Sequence, residues 1–426
     1  MEACSLATRT PVEELTAPPP QANVQRWTIL SLLFAITVIN IIDRQTVSVL
    51  APLIKAAFHL SDEAYGRIVA AFQFGMMSGE LPMGQLMDQW GCRIGMCAAV
   101  CWWSMCTGSQ AFVRSGMQLG LSRLGMGGTE CGNFSGGMKV VSETFEEKER
   151  TFAIGIFNSG SVVGAVIAPP LIVYLAQRYG FRAAFFVPAL LGFIWVALWW
   201  LTYPSHRNKE LKDSETPKIP LKALLSNSST WAVVLCRAFI GPVIQFYWYW
   251  LPSYLYSARH MTMTQIGSLS WIPFFLGSVG GVAGGWAAGW LQRRGANPPR
   301  VRKLTMYFSS GLCLASFLVP FVAGPTLALT MISVAIFGHN FLSVNMFGAI
   351  TDLFTGAEVG RATGMSGVAS GLTGLLFPLL TGYLVDHGSY RSVFMMAALM
   401  PLLGTVALFV LARKYRTMAR NEAAQA

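Results

Sequence analysis

The chain has 426 residues, of which 53% are hydrophobic and 12% are charged, and its mean hydropathy is +0.48. So little charge over this length excludes an ordinary soluble globular protein. The net charge of +11 would suit a nucleic-acid-binding protein, but the distribution of the charge along the chain argues against that class.

Apolar segments long enough to cross a bilayer recur along most of the chain. A spanning helix needs about 20 residues, and in lipid the backbone must satisfy its own hydrogen bonds, so each segment is predicted to be helical. The sequence therefore predicts an all-α polytopic membrane protein with twelve transmembrane helices. They are expected at residues 27–50, 64–87, 94–113, 117–141, 152–177, 182–203, 230–256, 265–291, 304–323, 325–351, 362–385 and 390–412.

Basic residues are concentrated in alternate segments between the predicted helices. The segments on the side of the two termini contain 20 Lys and Arg, whereas those on the other side contain six. The positive-inside rule then places both termini in the cytoplasm. The positive charge orients the protein in the membrane, so we expect lipid around it and no nucleic acid as a partner.

A long polar segment divides the predicted helices into two groups of six. The halves resemble each other at an offset near 209 residues, as Tyr174 and Arg182 correspond to Tyr383 and Arg391. Parallel repeats with a site at their interface are typical of alternating-access carriers. The predicted units are a disordered tail at 1–25, a six-helix bundle at 26–203, a cytoplasmic linker at 204–229, a second six-helix bundle at 230–412 and a tail at 413–426.

Four charged residues lie within predicted spans of the first half. Asp43 and Arg44 are neighbours in the first helix, and Arg123 and Glu130 lie two turns apart on one face of the fourth. Since the first helix runs outward and the fourth inward, all four can meet at a similar depth. A charge at bilayer depth costs at least ~2.5 kcal/mol and commonly marks the path of a transported species.

The charged cluster has two interpretations. In one, it is a static ion-pair network between helices one and four, although buried pairs stabilise proteins poorly compared with apolar packing. In the other, a carboxylate alternates between pairing with arginine and holding a proton. Arg44, about 100° round the helix from Asp43, then faces an anionic substrate, because its planar group can donate two parallel hydrogen bonds to a carboxylate.

Other polar residues of the spans are candidates for a substrate site. Asn345, Ser343 and Gln245 suit sugar hydroxyls as hydrogen-bond partners, and they suit neighbouring helices equally well. His339 is a candidate because a histidine side chain ordinarily titrates near neutral pH, and a helix–helix hydrogen bond is its alternative role. Tyr247 begins an aromatic run of which one or two rings are expected to line a cavity.

Cations near helix ends have a simpler explanation. Arg237 lies near the start of the seventh helix and Lys139 at the end of the fourth, so both are expected to extend toward the cytoplasm.

The eight cysteines show no metal-ligand spacing, so we expect no metal and no other cofactor. No nucleophile motif indicates an enzyme.

The loop between helices two and three carries a recognisable motif. It reads Gly-Gln-Leu-Met-Asp-Gln-Trp-Gly-Cys-Arg from residue 84 to residue 93, and it resembles the loop motif of the major facilitator superfamily. Asp88 and Arg93 are expected to pair with neighbouring helix ends and so to latch one conformation. The second half has Gly289 where the family has Asp, which predicts a latch in the first half alone.

The first helix resembles a branch of that superfamily, the anion:cation symporter family. Ile-Asn-Ile-Ile-Asp-Arg at residues 39–44 is similar to its I-N-Y-x-D-R motif, with Ile41 in place of Tyr. Gly338 and His339, followed by Ser343 and Asn345, resemble a motif of bacterial hexuronate transporters. Further matches are Ser122-Arg123 with Glu130, the segment Phe157-Asn158-Ser159-Gly160, and the aromatic segment at 246–255.

The resemblance implies a proton-coupled symporter of the bacterial inner membrane that imports a small organic anion by alternating access. The anion would be a hexuronate or a related sugar acid. By the same resemblance, Glu130 and Asp43 carry protons, Arg123 is the partner of Asp43, and Arg44 anchors the substrate carboxylate. The remaining candidate substrate residues are Asn345, Ser343, His339, Gln245, Tyr247, Asn158 and Ser161.

Three alternatives remain open at this point. One is a carrier of another organic anion, such as an aldonate or an aromatic acid, and another is a membrane sensor that binds an anion without moving it. A drug–proton antiporter fits less well, since Arg44 makes the site positive. We expect a monomer whose partners are the small anion, protons and lipid.

Overall fold

The computed structural model describes residues 20–204, 225–355, 357–412 and 415. Over these residues every regular element is a helix. The helices are α1 Pro20–Val49, α2 Ala51–Phe58, α3 Asp62–Ser109, α4 Gly116–Glu130, α5 Gly132–Thr144, α6 Glu147–Tyr179, α7 Ala183–Thr202, α8 Ser228–Ser257, α9 Met263–Leu269, α10 Ile272–Arg293, α11 Pro298–Cys313, α12 Ala315–Leu318, α13 Pro325–Leu353, α14 Ala357–His387 and α15 Tyr390–Leu411.

Eight stretches of helix in the described chain are long and apolar enough to cross a membrane, which confirms a polytopic all-α protein. They are α1, α6, α7, α8, α9 with α10, α13, α14 and α15. The other four predicted spans lie in α3, which contains two of them, in α4 with α5, and in α11 with α12. Within α3, Gly91 has a φ of 75° and separates the two spans, because glycine adopts this conformation without strain.

Helix α1 begins at Pro20, seven residues before the predicted first span. Proline is favoured in the first turn of a helix, where its missing N–H needs no partner. This explains a helix start at Pro20, in a polar segment that hydropathy does not predict to be part of the span. Residues 1–19 of the predicted tail, 205–224 of the predicted linker, and 413–414 and 416–426 of the second tail lie outside the described residues.

Glycines allow the closest helix contacts in each half. In the first half, a side chain at Gly79 of α3 would overlap the backbone carbonyl of Gly128 in α4. In the second half, a side chain at Gly280 of α10 would overlap the carbonyl of Phe337 in α13. Both pairs therefore pack backbone against backbone, which is how membrane helices gain close contact without a hydrophobic driving force.

The internal repeat is visible at the helix ends nearest the termini. Tyr203 donates to Glu143 at 2.8 Å in the first half, and Tyr415 donates to Asp352 at 3.2 Å in the second. These residues correspond at offsets of 212 and 209 residues. Asp352 also binds Arg302 at 2.8 Å, so each half closes this end with contacts of its own.

The two halves meet at the end of the molecule far from the termini. The Ser48 hydroxyl of α1 donates to the backbone carbonyl of Trp248 in α8 at 2.7 Å. The Tyr65 hydroxyl of α3 donates to the carbonyl of Tyr249 at 2.8 Å. A side chain at Gly66 would overlap the carbonyl of Pro378, so the backbones of α3 and α14 touch there. We refer to this region as the closed end.

Away from the closed end the two halves diverge. One face of α14 carries glycines along its length, and a Cβ at Gly371 would lie 3.6 Å from Met77 of α3. Nearer the termini, a Cβ at Gly367, Gly364 or Gly360 would meet no atom within 4 Å. These three glycines share the face of α14 that carries Gly371, so the open space beside them lies between the halves, and we call it the vestibule.

A carboxylate from one half caps a helix of the other at the closed end. Asp386, near the end of α14, accepts hydrogen bonds from the backbone N–H groups of Asp62 and Glu63 at 2.9 Å and 2.7 Å. These groups begin α3 and have no partner within the helix. The contact therefore ties the start of α3 in the first half to the end of α14 in the second.

We expect Asp386→Asn to weaken the closed end, because an amide presents one acceptor where the carboxylate presents two. Loss of a helix cap costs about 1 kcal/mol, which corresponds to a roughly fivefold shift toward an open end. Distances between spin labels at the exposed positions His59 and His387 would show this as a longer second population. Glu63→Gln, which alters a side chain outside the contact, is the control. Identical distance distributions for Asp386→Asn and wild type would refute the prediction.

Candidate functional site

A cavity of about 350 Å³ lies between the halves, on the vestibule side of the closed end. Helices α1, α3 and α6 of the first half line it together with α8, α10 and α13 of the second. Its polar lining residues are Arg44, Gln73, Ser161, Gln245, Ser278 and Asn340. Its aromatic lining residues are Trp248, Tyr249 and Phe274.

Arg44 is the charged residue of the cavity wall, and it is held by a buried carboxylate. Its Nε donates to Oε1 of Glu130 at 2.8 Å; the arginine side chain is 21% exposed and that of the glutamate is 0% exposed. The Arg44 guanidinium also lies 5.7 Å from the ring of Phe72 and 5.8 Å from that of Trp248. It therefore presents a partly open cation to the cavity.

Arg123 is buried beside the Arg44–Glu130 pair, against the backbone of α1. Its terminal nitrogens lie 3.5 Å and 3.4 Å from the backbone carbonyl oxygens of Asp43 and Arg44. Its guanidinium lies 4.2 Å above the ring of Phe72, and the residue is 1% exposed. Arg123 thus joins α4 to the backbone of α1 at the level of the charged pair.

Asp43 lies beside these groups with its carboxylate unpaired. The residue is 1% exposed, and neither of its oxygens has a hydrogen-bond partner among the described residues. The indole N–H of its neighbour Trp103 interacts with this carboxylate but does not reach hydrogen-bond geometry. The four charged residues singled out from the sequence therefore meet, but Arg123 contacts the backbone of Asp43 and not its side chain.

Besides Arg44, two of the predicted substrate residues line the cavity, Gln245 and Ser161. Gln245 accepts a hydrogen bond from Gln73 at 2.5 Å, which joins α8 to α3 across the interface of the halves. Asn158 is exposed one turn nearer the vestibule than Ser161, on the same side of α6. Ser343 is partly buried on α13 and does not line the cavity.

Three other predicted substrate residues bond within the second half. Asn345 accepts from Arg302 at 3.2 Å and donates to two backbone carbonyls. His339 Nε2 lies 3.0 Å from the carbonyl of Ile240, and the Tyr247 hydroxyl lies 2.6 Å from that of Ser316. In this conformation these polar atoms join helices, and none of the three residues lines the cavity.

The sequence analysis missed most of the lining contributed by the second half. Asn340 follows His339 in the quoted motif, and Trp248 and Tyr249 belong to the aromatic run, but nothing singled out these residues from their neighbours. Their common signal is the helical spacing of residues 244, 245 and 248 on α8 and of 274 and 278 on α10. Each set lies on one helical face.

Among the described residues, the partners of the proposed latch residues belong to the first half. Asp88 binds Lys139 at 2.6 Å. Arg93 donates to the backbone carbonyl of Trp200 at 2.7 Å and stacks 4.4 Å above its ring. Lys139 therefore pairs with the loop and does not extend to the solvent alone. All these partners lie in one bundle, so the contacts brace that bundle in this conformation.

Comparison with known proteins agrees with this architecture. A family model described as Major Facilitator Superfamily matches residues 33–347 and 300–426. The chain is 27% identical over 402 residues to the hexuronate transporter of Escherichia coli (strain K12), covering 90% of this chain and 93% of that one. It is also 27% identical over 432 residues to the probable L-galactonate transporter of the same strain, covering 95% of each chain.

Solved structures support the same fold. The structure of a bacterial homologue of the human lysosomal transporter Spinster, in an inward-facing and occupied conformation, superposes with a TM-score of 0.73 at 18% identity. The match covers 93% of this chain and 97% of that chain. At this identity the likeness concerns the fold alone.

Proposed function

We propose that this chain, which belongs to the Major Facilitator Superfamily, is a proton-coupled symporter that imports a hexuronate or a related sugar acid by alternating access. Its membership of this superfamily makes the protein a membrane transporter and not an enzyme. The curated relatives are named as transporters of hexuronate and galactonate, which supports a small sugar acid as the substrate.

The observation that carries the proposal is the Arg44–Glu130 pair at the cavity wall. A substrate carboxylate that binds Arg44 competes with Glu130 for the same guanidinium donors. Glu130 is fully buried and its second oxygen has no partner, so an ionised Glu130 that lost Arg44 would cost several kcal/mol. A proton on Glu130 removes this cost, so proton binding and substrate binding favour each other.

Asp43 supports a second proton in the cycle. A buried carboxylate with no hydrogen-bond partner is far cheaper as a neutral acid than as an anion. We propose that Asp43 is protonated in this conformation and loses its proton when Arg123 turns from the α1 backbone toward it. Two protons per monoanion would carry one net positive charge inward, which gains about 2.3 kcal/mol per 100 mV.

The rest of the cavity suits a polyhydroxy acid. Its 350 Å³ falls in the usual range for small-molecule sites, about 300–1,000 Å³. The amide groups of Gln73, Gln245 and Asn340 can bind sugar hydroxyls, and the ring of Trp248 offers an apolar surface. Arg44 then fixes the carboxylate end of the molecule.

The charge distribution sets the proposed orientation. With both termini in the cytoplasm of a bacterial cell, the closed end faces outward and the vestibule opens to the cytoplasm. The conformation described above is then inward-facing, and a substrate bound at Arg44 would leave through the vestibule.

Uptake of labelled D-glucuronate into proteoliposomes tests the proposal. We expect accumulation that grows about tenfold per pH unit for each coupled proton, together with an inward current if two protons accompany each anion. D-Galactonate and an aromatic acid serve as competitors to rank other anions, and protein-free liposomes are the control. Accumulation that ignores the proton gradient would contradict the symport mechanism, and binding without uptake would indicate a sensor.

A further inference from the structure

Arg237 of α8 is a cation without a polar partner among the described residues. Its Nε is buried and makes no hydrogen bond, and its guanidinium forms no ion pair there. The group does not extend to the cytoplasm as expected from the sequence, because it lies 4.4 Å above the ring of Phe347 on α13. A cation–π contact of this kind holds the arginine in place and leaves its N–H donors free.

Arg237 and Phe347 face the space between the halves. Arg237 shares one face of α8 with Ile244 and Trp248, which line the cavity. Phe347 lies two turns along α13 from Asn340, another lining residue, and is 41% exposed. Both positions lie on the vestibule side of the cavity.

Contacts between α8 and α14 place Arg237 at the level of the vestibule. A side chain at Gly241 would meet Ser370, and one at Gly374 would meet Gln245, so the two helices run side by side with an offset of 129 residues. The same offset places Arg237 level with residue 366. The adjacent Gly367 is one of the glycines that face open space.

The distance from Arg44 makes this a separate position. Arg44 lies against the ring of Trp248, and Trp248 is eleven residues from Arg237 along α8, or about 16 Å. A six-carbon acid is about 8 Å long, from single bonds of about 1.5 Å. This rise along α8 is about twice the length of the acid, so an anion would occupy the two arginines in turn.

We propose that Arg237 and Phe347 form a second anion site in the vestibule, which binds the carboxylate of the transported acid after it leaves Arg44. The proposal rests on the proposed function. Arginine suits this role because its planar group donates two hydrogen bonds to a carboxylate. Unlike Arg44, Arg237 has no carboxylate partner in the described chain, so an anion binds there without displacing one and without a coupled proton.

Transport kinetics measured from each side of the membrane test this role. With labelled D-glucuronate in oriented proteoliposomes, Arg237→Gln is expected to raise the half-saturating concentration on the vestibule side about tenfold. The value on the opposite side should change less than twofold. Arg294→Gln is the matched control, because Arg294 also stacks on a ring, that of Trp290 at 3.9 Å, but lies beyond the end of α10. An equal change on both sides, or no change, would overturn the proposal.

A chemical probe tests the site without relying on transport. In a cysteine-free background, Gly367→Cys introduces a thiol at the level of Arg237, where the structure has room for it. We expect Arg237→Gln to slow its reaction with an anionic methanethiosulfonate about fivefold relative to a cationic one, and Arg237→Lys to preserve the wild-type ratio. An unchanged ratio of the anionic to the cationic reaction rate in Arg237→Gln would refute the second site, even if D-glucuronate is not a substrate. Failure of the wild-type protein to accumulate D-glucuronate would count against the proposed function alone.

Discussion

Glu130→Gln is expected to abolish proton-driven accumulation of the acid while leaving exchange of the acid across the membrane intact. Glutamine has nearly the shape of protonated glutamate, so Arg44 stays free for the substrate carboxylate in every conformation. Without a titratable group at this position the substrate no longer requires a proton. The accumulation ratio should then fall from about tenfold per pH unit for each coupled proton toward one.

Parallel measurements of net uptake and of exchange in proteoliposomes distinguish coupling from simple loss of activity. Glu149→Gln provides a matched control, because Glu149 also pairs with an arginine, Arg26, at 2.8 Å but lies away from the cavity. Accumulation by Glu130→Gln that still follows the proton gradient would show that Glu130 is structural. Loss of both uptake and exchange would show that Glu130 is needed for substrate binding itself.

Arg44→Lys is expected to reduce the ratio of the maximal uptake rate to the half-saturating concentration by 100-fold or more. Lysine keeps the positive charge beside Glu130 but lacks the planar pair of donors that a carboxylate needs. Hydrogen bonds to a charged group are worth about 1.5–3 kcal/mol each, so losing the parallel pair costs about 3 kcal/mol or more, which corresponds to a loss of at least about 150-fold. Concentration-dependent uptake of D-glucuronate, with verified reconstitution of the variant, measures the effect.

Folding must be separated from binding in this variant. Lysine can still neutralise Glu130, so the melting temperature of Arg44→Lys in detergent should stay near that of wild type, whereas Arg44→Gln leaves a buried carboxylate unpaired. Arg67→Lys, at an exposed arginine paired with Glu63 at 2.7 Å, is the control. Near-normal uptake by Arg44→Lys would mean that Arg44 supplies only charge, and the carboxylate would have to bind elsewhere.

Most of the fold follows from hydropathy, since each predicted span overlaps helix in the structure, although helix in the ninth span ends at Leu318, five residues before the predicted end. The differences occur where a polar segment is helical, as at Pro20, where α1 extends beyond the apolar segment. The break between α9 and α10 has a sequence signal that was not used, because Pro273 lies in the first turn of α10. The break between α4 and α5 at Cys131 has no such proline.

The charged cluster could be located from sequence, but its pairing could not. Whether Arg44 or Arg123 meets Glu130 depends on the rotation of α1 against α4, and neighbouring residues on a helix differ by about 100°. The same uncertainty applies to Asn345 and His339. In a helix that is buried on most sides, polar residues that join helices and polar residues that line a cavity have the same composition and spacing.

The bonds across the closed end share a property that affects how they would be detected. Ser48, Tyr65 and Asp386 each use a side chain, but in every case the partner is backbone: carbonyl oxygens in α8 or N–H groups in α3. Any residue other than proline supplies both groups, so the partner positions are free to change identity during evolution. Residue covariation across homologues would therefore miss many contacts of the closed end. A mutational scan would detect only the residue that contributes its side chain to each contact.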